Sequence, residues 1–161
     1  MIRVEALPWE RHADALLSIR LRVFVDEQGV PPELEPDDQD PRCWHVAAAW
    51  RPGSDPDQGG GPAQSTTGTP DWVGTARMTP EGRIGRMAVL AGWRGRGLGG
   101  AMLRQLLDIA VGQSLPEVTL LAQLHALRFY QSHGFRAHGP EIEEAGIPHR
   151  AMSLTLKGRG D

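Results

Sequence analysis

The chain has 161 residues, enough for one domain with a single sizeable core; 40% are hydrophobic and 23% are charged with both signs interspersed, a balance that excludes wholesale disorder. A formal net charge of -3 with no basic stripe argues against a nucleic-acid partner. The one cysteine, Cys43, has no mate for an intramolecular disulfide or a metal pair, no apolar run reaches bilayer-spanning length, and residues 1–5 read as a strand rather than a signal peptide, so the expectation is a cytoplasmic, membrane-free protein.

Residues 2–6 alternate as a short strand, and Pro8 marks a turn. From Trp9 the apolar residues Ala13, Leu16, Leu17, Ile19, Val23 and Phe24 recur near helical spacing, which predicts a first helix of about 10–16 residues. Residues 26–42 are acidic and proline-rich and read as an irregular loop with a short helical turn. A strand over 45–50 follows. Residues 51–71, dominated by Gly, Pro, Ser, Thr, Asp and Gln, read as a flexible low-complexity loop inside the one domain, 1–161, since a boundary there would leave two halves each short of core. Strands are expected at 72–78 and 83–89, a helix over 98–111 with Leu103, Leu106, Leu107 and Ala110 on one face, and a buried strand at 118–121. A short helix over 126–132 capped by Gly134, a strand from Phe135 and a closing strand at 152–156 complete the chain. The order predicts a mixed α/β fold with an antiparallel first half and one parallel crossover.

Between the fourth strand and the second helix lies Gly92-Trp93-Arg94-Gly95-Arg96-Gly97-Leu98-Gly99-Gly100. Glycines let the backbone approach a ligand, the first N–H groups of a helix lack internal partners, and the helix dipole favours an anion there, so this segment reads as a phosphate site. Arg94 and Arg96 add possible charge-assisted bonds. A P-loop would need Lys-Ser or Lys-Thr after the glycines, and 98–101 offers neither. A dinucleotide fingerprint is met by Gly95, Gly97 and Gly100, with Glu117 near the distance of a ribose-binding acid, although Glu117 precedes its strand and the loop is not the chain's first. A glycine-rich turn of packing value only is the third alternative.

Arg94-Gly95-Arg96-Gly97-Leu98-Gly99 resembles the R/Q-x-x-G-x-G/A motif of the GNAT superfamily of N-acetyltransferases. Arg86-Met87-Ala88-Val89 resembles that family's fourth strand, and Ala126-Leu127-Arg128-Phe129-Tyr130-Gln131-Ser132-His133-Gly134-Phe135 its A-x-x-F-Y-x-x-x-G-F segment. Val23-Phe24-Val25-Asp26-Glu27-Gln28, with Gly146-Ile147-Pro148-His149 near the C-terminus, is similar to an uncharacterised bacterial branch. The likeness spans most of the chain outside 51–71. It implies a GNAT-like fold, with a mostly antiparallel mixed sheet flanked by helices and a splayed parallel pair at the cofactor site. It also implies transfer of an acetyl group from acetyl-CoA to a primary amine of a small molecule or peptide, by direct attack in a ternary complex, and a possible homodimer. By the same resemblance Met87, Ala88 and Val89 hold the pantetheine arm. Arg94, Gly95, Arg96, Gly97, Leu98, Gly99 and Gly100 hold the pyrophosphate, and Tyr130 protonates the departing thiolate. Gln123 departs from the pattern, where many members carry Asn.

Acetyl transfer requires a neutral amine, although a lysine-like amine has a pKa of about 10.4, so a base or water relay must take its proton. A donor for the developing oxyanion, which the resemblance places at an amide near Val89, and an acid for the thiolate complete the set. A phenol with a pKa of about 10 stays protonated at neutral pH and suits the acid role, whereas packing beside Phe129 is the plain alternative for Tyr130. The base stays open among Glu27, Glu35, Asp37, His45 and His149, with Glu27 favoured; the acidic loop as ordinary solvated surface, and structural histidines, are the alternatives. The histidines show no metal-ligand spacing and the five tryptophans no stacking array, so no catalytic metal and no nucleic acid are expected. An acyl-CoA sensor of the same fold and, further off, a dinucleotide oxidoreductase are the competing functions.

Overall fold

The computed structural model describes residues 2–35, 37–50 and 71–156, so the expected loop 51–71 lies outside the described residues except for Asp71. The elements follow the expected order: β1 (Ile2–Leu7), α1 (Trp9–Arg20), β2 (Trp44–Trp50), β3 (Gly74–Met78), β4 (Arg83–Val89), α2 (Leu98–Gly112), β5 (Glu117–Gln123), α3 (Leu127–Gln131), β6 (Arg136–Glu144) and β7 (Ile147–Thr155). They form a seven-stranded sheet in the order β1-β2-β3-β4-β5-β7-β6. Every neighbouring pair is antiparallel except β4 and β5. A dinucleotide-binding sheet built on parallel strands is therefore not what surrounds the glycine-rich loop.

Each strand's alternation assigns it two faces. Val46 and Ala48 of β2, Ala76 and Met78 of β3, and Val118, Leu120 and Ala122 of β5 join the apolar stripe of α2, where Met102, Leu103, Leu106 and Ala110 are fully buried. At about 1.5–3 kcal/mol for each buried Leu or Met side chain, this face supplies most of the fold's driving force. The other face is covered by α1, whose Ile19 packs with Val23 and with Ala88 of β4. Helix α1 runs on into a π-helical turn, Leu21–Glu27, that carries Phe24 and Glu27 toward the sheet's centre.

The parallel pair is short. Only Arg83↔Thr119 and Ile84↔Leu120 are paired; past them β4 and β5 diverge. A bulge helps to part them: opposite β3 the register slips between Thr75↔Ala88 and Arg77↔Gly85, and Arg86 takes a left-handed φ of 50°. The result is a V-shaped gap in the middle of the sheet, open at the C-terminal ends of both strands.

Candidate active site

The gap is the floor of a cavity of about 410 Å³. Met87 of β4 and Tyr130 of α3 line it from the α2 face, while Phe24, Gln28 and His149 line it from the α1 face. The face of His149 follows from register: it pairs with Gln123, and Gln123 alternates with the core residues Leu120 and Ala122. Gln123, the departure from the family pattern, is clasped by Gln28, each amide donating to the other at 2.9 and 3.5 Å.

Tyr130 is held by the way α3 ends. Gly134, at φ 95°, lets the Phe135 N–H bond back to the Tyr130 carbonyl at 3.1 Å, and buried Phe135 packs edge-on against the phenol ring. The hydroxyl lies 3.7 Å from Met87 Sδ, a weak acceptor. Burial pushes the phenol up to about 12, so it stays protonated across the neutral range.

The glycine-rich loop leads into α2 with Gly95 at φ 79° and Gly97 at φ 85°, both left-handed. No side chain caps the helix, which leaves the first amides, of Leu98, Gly99 and Gly100, open to an external acceptor. A Cβ added at Gly99 or Gly100 would meet Phe129 at 3.5 Å or His133 at 3.4 Å, ordinary van der Waals contact, so the start of α2 lies close against α3 and the residues after it. The two arginines differ. Arg96 lies between the indoles of Trp50 and Trp93, 5.5 and 5.0 Å from their centroids. Arg94 is already engaged, donating to the Val89 carbonyl at 2.8 Å and to both oxygens of Glu27 at 2.9 Å. An uncapped helix start beside an open backbone gap fits a long ligand with a diphosphate at one end and a chain reaching into the sheet.

The candidate bases separate by position. Glu27, the favoured base, is bound to Arg94 beside the glycine-rich loop and does not line the cavity. Asp37 and His45 do not line it either: Asp37 is gripped by Arg77, and His45, with burial holding its pKa down, is stacked on Trp9 with Nε2 2.8 Å from the Asp40 carbonyl. Glu35 reaches the cavity but is 2% exposed, its carboxylate bound to Arg20 Nε and 3.5 Å from Arg86 Nε. His149 lines the cavity at 8% exposure, and its Nδ1–H donates to the Ile147 carbonyl at 2.7 Å, which leaves Nε2 as the basic nitrogen.

The acidic loop is solvated only in part: Glu33 and Asp38 are exposed, but Glu35, Asp37 and Asp40 turn inward. Asp40, 1% exposed, accepts from Arg20 at 2.9 and 3.1 Å and from Arg77 at 2.7 Å, and Asp37 accepts twice more from Arg77 at 2.6 and 2.7 Å. Arg86 joins through Asp37 at 3.4 Å and the Glu35 carbonyl at 3.3 Å. These arginines are missing from the candidates drawn from sequence. The available signal was Arg20 within the Leu16, Ile19, Val23 stripe and Arg77 inside an apolar strand, each a charge where the period demands burial.

Residues 67–156 match the model of the acetyltransferase (GNAT) domain. An uncharacterized N-acetyltransferase of Bacillus subtilis, YjcF, is 32% identical over 136 residues, covering 83% of this chain and 86% of its own. The crystal structure of Escherichia coli ElaA superposes with a TM-score of 0.74 at 28% identity, over 96% of this chain and 99% of that one. An aminoglycoside 6'-N-acetyltransferase solved with coenzyme A shares the fold at 14% identity, with a TM-score of 0.68 and 99% of each chain covered. No helix among the described residues is long and apolar enough to cross a membrane. With a matching domain model over more than half its length and the V-shaped opening of its sheet, the chain belongs to the GNAT family of acyl-CoA-dependent N-acetyltransferases.

Proposed function

We propose that the chain transfers an acetyl group from acetyl-CoA to a primary amine of a small molecule or peptide, by direct attack in a ternary complex. The observation that carries this reading is the placement of two proton-handling groups on opposite faces of one gap, Tyr130 on the α2 side and His149 on the α1 side. Amides at the start of α2, with Gly95, Gly97 and Arg96, hold the diphosphate, and the unpaired edge of β4 at Met87, Ala88 and Val89 holds the pantetheine arm. The bound thioester supplies an activated acyl carbon. His149 Nε2 takes the proton from the attacking nitrogen as the C–N bond forms. The Tyr130 hydroxyl gives its proton to the sulfur as the C–S bond breaks. No covalent enzyme intermediate is required, so half-buried Cys43, whose thiol burial raises, has no part.

A free-CoA release assay over polyamines, aminoglycosides, amino acids and peptide N-termini tests this, run beside calorimetric titration with acetyl-CoA and with NADH. The expected result is acetyl-CoA binding, turnover with one amine class, and a kcat/KM lowered by about 10²-fold or more in His149→Gln. Acetyl-CoA binding without turnover of any amine would turn the reading toward an acyl-CoA sensor.

A further inference from the structure

The charges around the cavity fall into two groups. Arg20, Arg77 and Arg86 meet Glu35, Asp37 and Asp40 in one largely buried network in which cations and anions are equal in number. Two charged residues of the lining stand outside it, Arg83 and Glu144. Neither side chain has an ion pair or hydrogen bond with any described residue, and both are exposed. Each is therefore free to meet a ligand at little cost, which the three networked arginines are not.

Their positions are set by strand register. Arg83 pairs with Thr119, at the closed end of the V, and Thr119 pairs in turn with Ser153 of β7. His149 lies four residues back along β7, opposite Gln123 at the open end, about 13 Å of strand away at about 3.3 Å per residue. Both residues line the cavity, and that span leaves room for a short molecule between them. Glu144 stands beyond His149, opposite Ile147, at the tip of the β6–β7 hairpin. The lining thus runs from a free cation, past the basic nitrogen of His149, to a free anion.

We infer that the acceptor is an amine that also carries an anionic group, with the anion bound by Arg83 and the ammonium drawn in past Glu144 to His149. The inference rests on the acetyl-transfer reading above and narrows it from primary amines in general to amino acids or amino phosphates. Polyamines and aminoglycosides would bring a second cation to Arg83 and be repelled there. No step of the chemistry changes: the anion only fixes which nitrogen faces the thioester.

The test compares matched acceptors at saturating acetyl-CoA: β-alanine, its carboxamide, O-phosphoethanolamine, ethanolamine and putrescine, together with α-amino acids and their amides. The acids are expected to exceed their uncharged partners by about tenfold or more in kcat/KM, the size of one charge-assisted bond. The β-alanine and phosphoethanolamine arms tell a carboxylate subsite from a phosphate one. In Arg83→Gln the ratio of acid to amide should fall toward one, through KM for the acid, and Arg83→Lys should restore part of it. Arg83→Glu should shift preference toward putrescine. Equal rates for acids and amides in the natural protein, or an unchanged ratio in Arg83→Gln, would overturn the inference while leaving acyl transfer intact. If acetyl-CoA binds and no amine releases CoA, the transfer reading itself fails. Because Arg83 is exposed and unpaired, thermal melting should show all three variants folded.

Discussion

Both carboxylate oxygens of Glu27 are held by the Arg94 guanidinium, each at 2.9 Å, while Arg94 Nε donates to the Val89 carbonyl. The pair ties the π-helical end of α1 to the glycine-rich loop and to the last residue of β4. It engages the charge of Arg94 within the protein, which leaves main-chain amides and Arg96 for the diphosphate we propose there.

Glu27→Gln should therefore behave as a loop mutation. Both partners are about 40% exposed, 45% for Arg94 and 36% for Glu27, and an exposed pair contributes about 0–1 kcal/mol. The expected result is a KM for acetyl-CoA raised several-fold with kcat changed less than about threefold. A kcat loss of about 10² or more, the size of a general-base contribution, would return Glu27 to the base role.

Tyr130→Phe separates acid catalysis from packing. The ring contacts with Phe129 and Phe135 remain in the variant, so stability should hold. Losing the proton donor should lower kcat by about 10²-fold with KM for acetyl-CoA little changed. Since the hydroxyl is held protonated up to about 12, the natural enzyme should show no alkaline loss of rate from this group below pH about 10. A phenylalanine variant with full activity would leave Tyr130 a packing residue.

The parts of the site legible in sequence are those set by local chemistry. The glycine-rich loop needs only left-handed glycines and a helix start, and both lie within neighbouring residues, so Gly95, Gly97 and α2 could be read directly. The apolar periods of β4 and α2 placed these elements closely for the same reason. The V-shaped gap was reachable only through family likeness, because it depends on a register slip at Arg86 and on which strand lies beside β4. The surroundings of the candidate bases were out of reach for a related cause. Nothing local to Glu27 announces Arg94, 67 residues away, and nothing local to Asp40 announces Arg77, 37 residues away. A proline-rich acidic stretch looks solvated until its buried counter-ions are known.

That buried network should be costly to break one partner at a time. Asp40→Ala would leave Arg20 and Arg77 facing each other without their shared anion, at 1% and 8% exposure. A loss of about 3–5 kcal/mol in urea unfolding is expected, as for removal of one partner of a buried pair. A loss under about 1 kcal/mol, the figure for solvated pairs, would mean that water takes the place of the carboxylate.

The same network makes stability depend on acid in a defined window. Hydrogen bonds from Arg77 are the largest influence on Asp37 and, against the opposing effect of burial, hold its carboxyl at about 2, below an ordinary 3.8. A lowered carboxyl contributes its full stabilisation above the unfolded value and loses it as pH falls through the folded one. Stability should thus decline as pH drops from about 4 to about 2. Asp37→Asn should lower stability at neutral pH and flatten that decline. Part of the slope should persist, because Asp40 is held down as well, burial raising it but Arg20 and Arg77 prevailing. Urea midpoints taken across pH 2–6 for both proteins measure this. Parallel curves for the two would show that Asp37 titrates alike folded and unfolded, and that its bonds to Arg77 do not hold in solution.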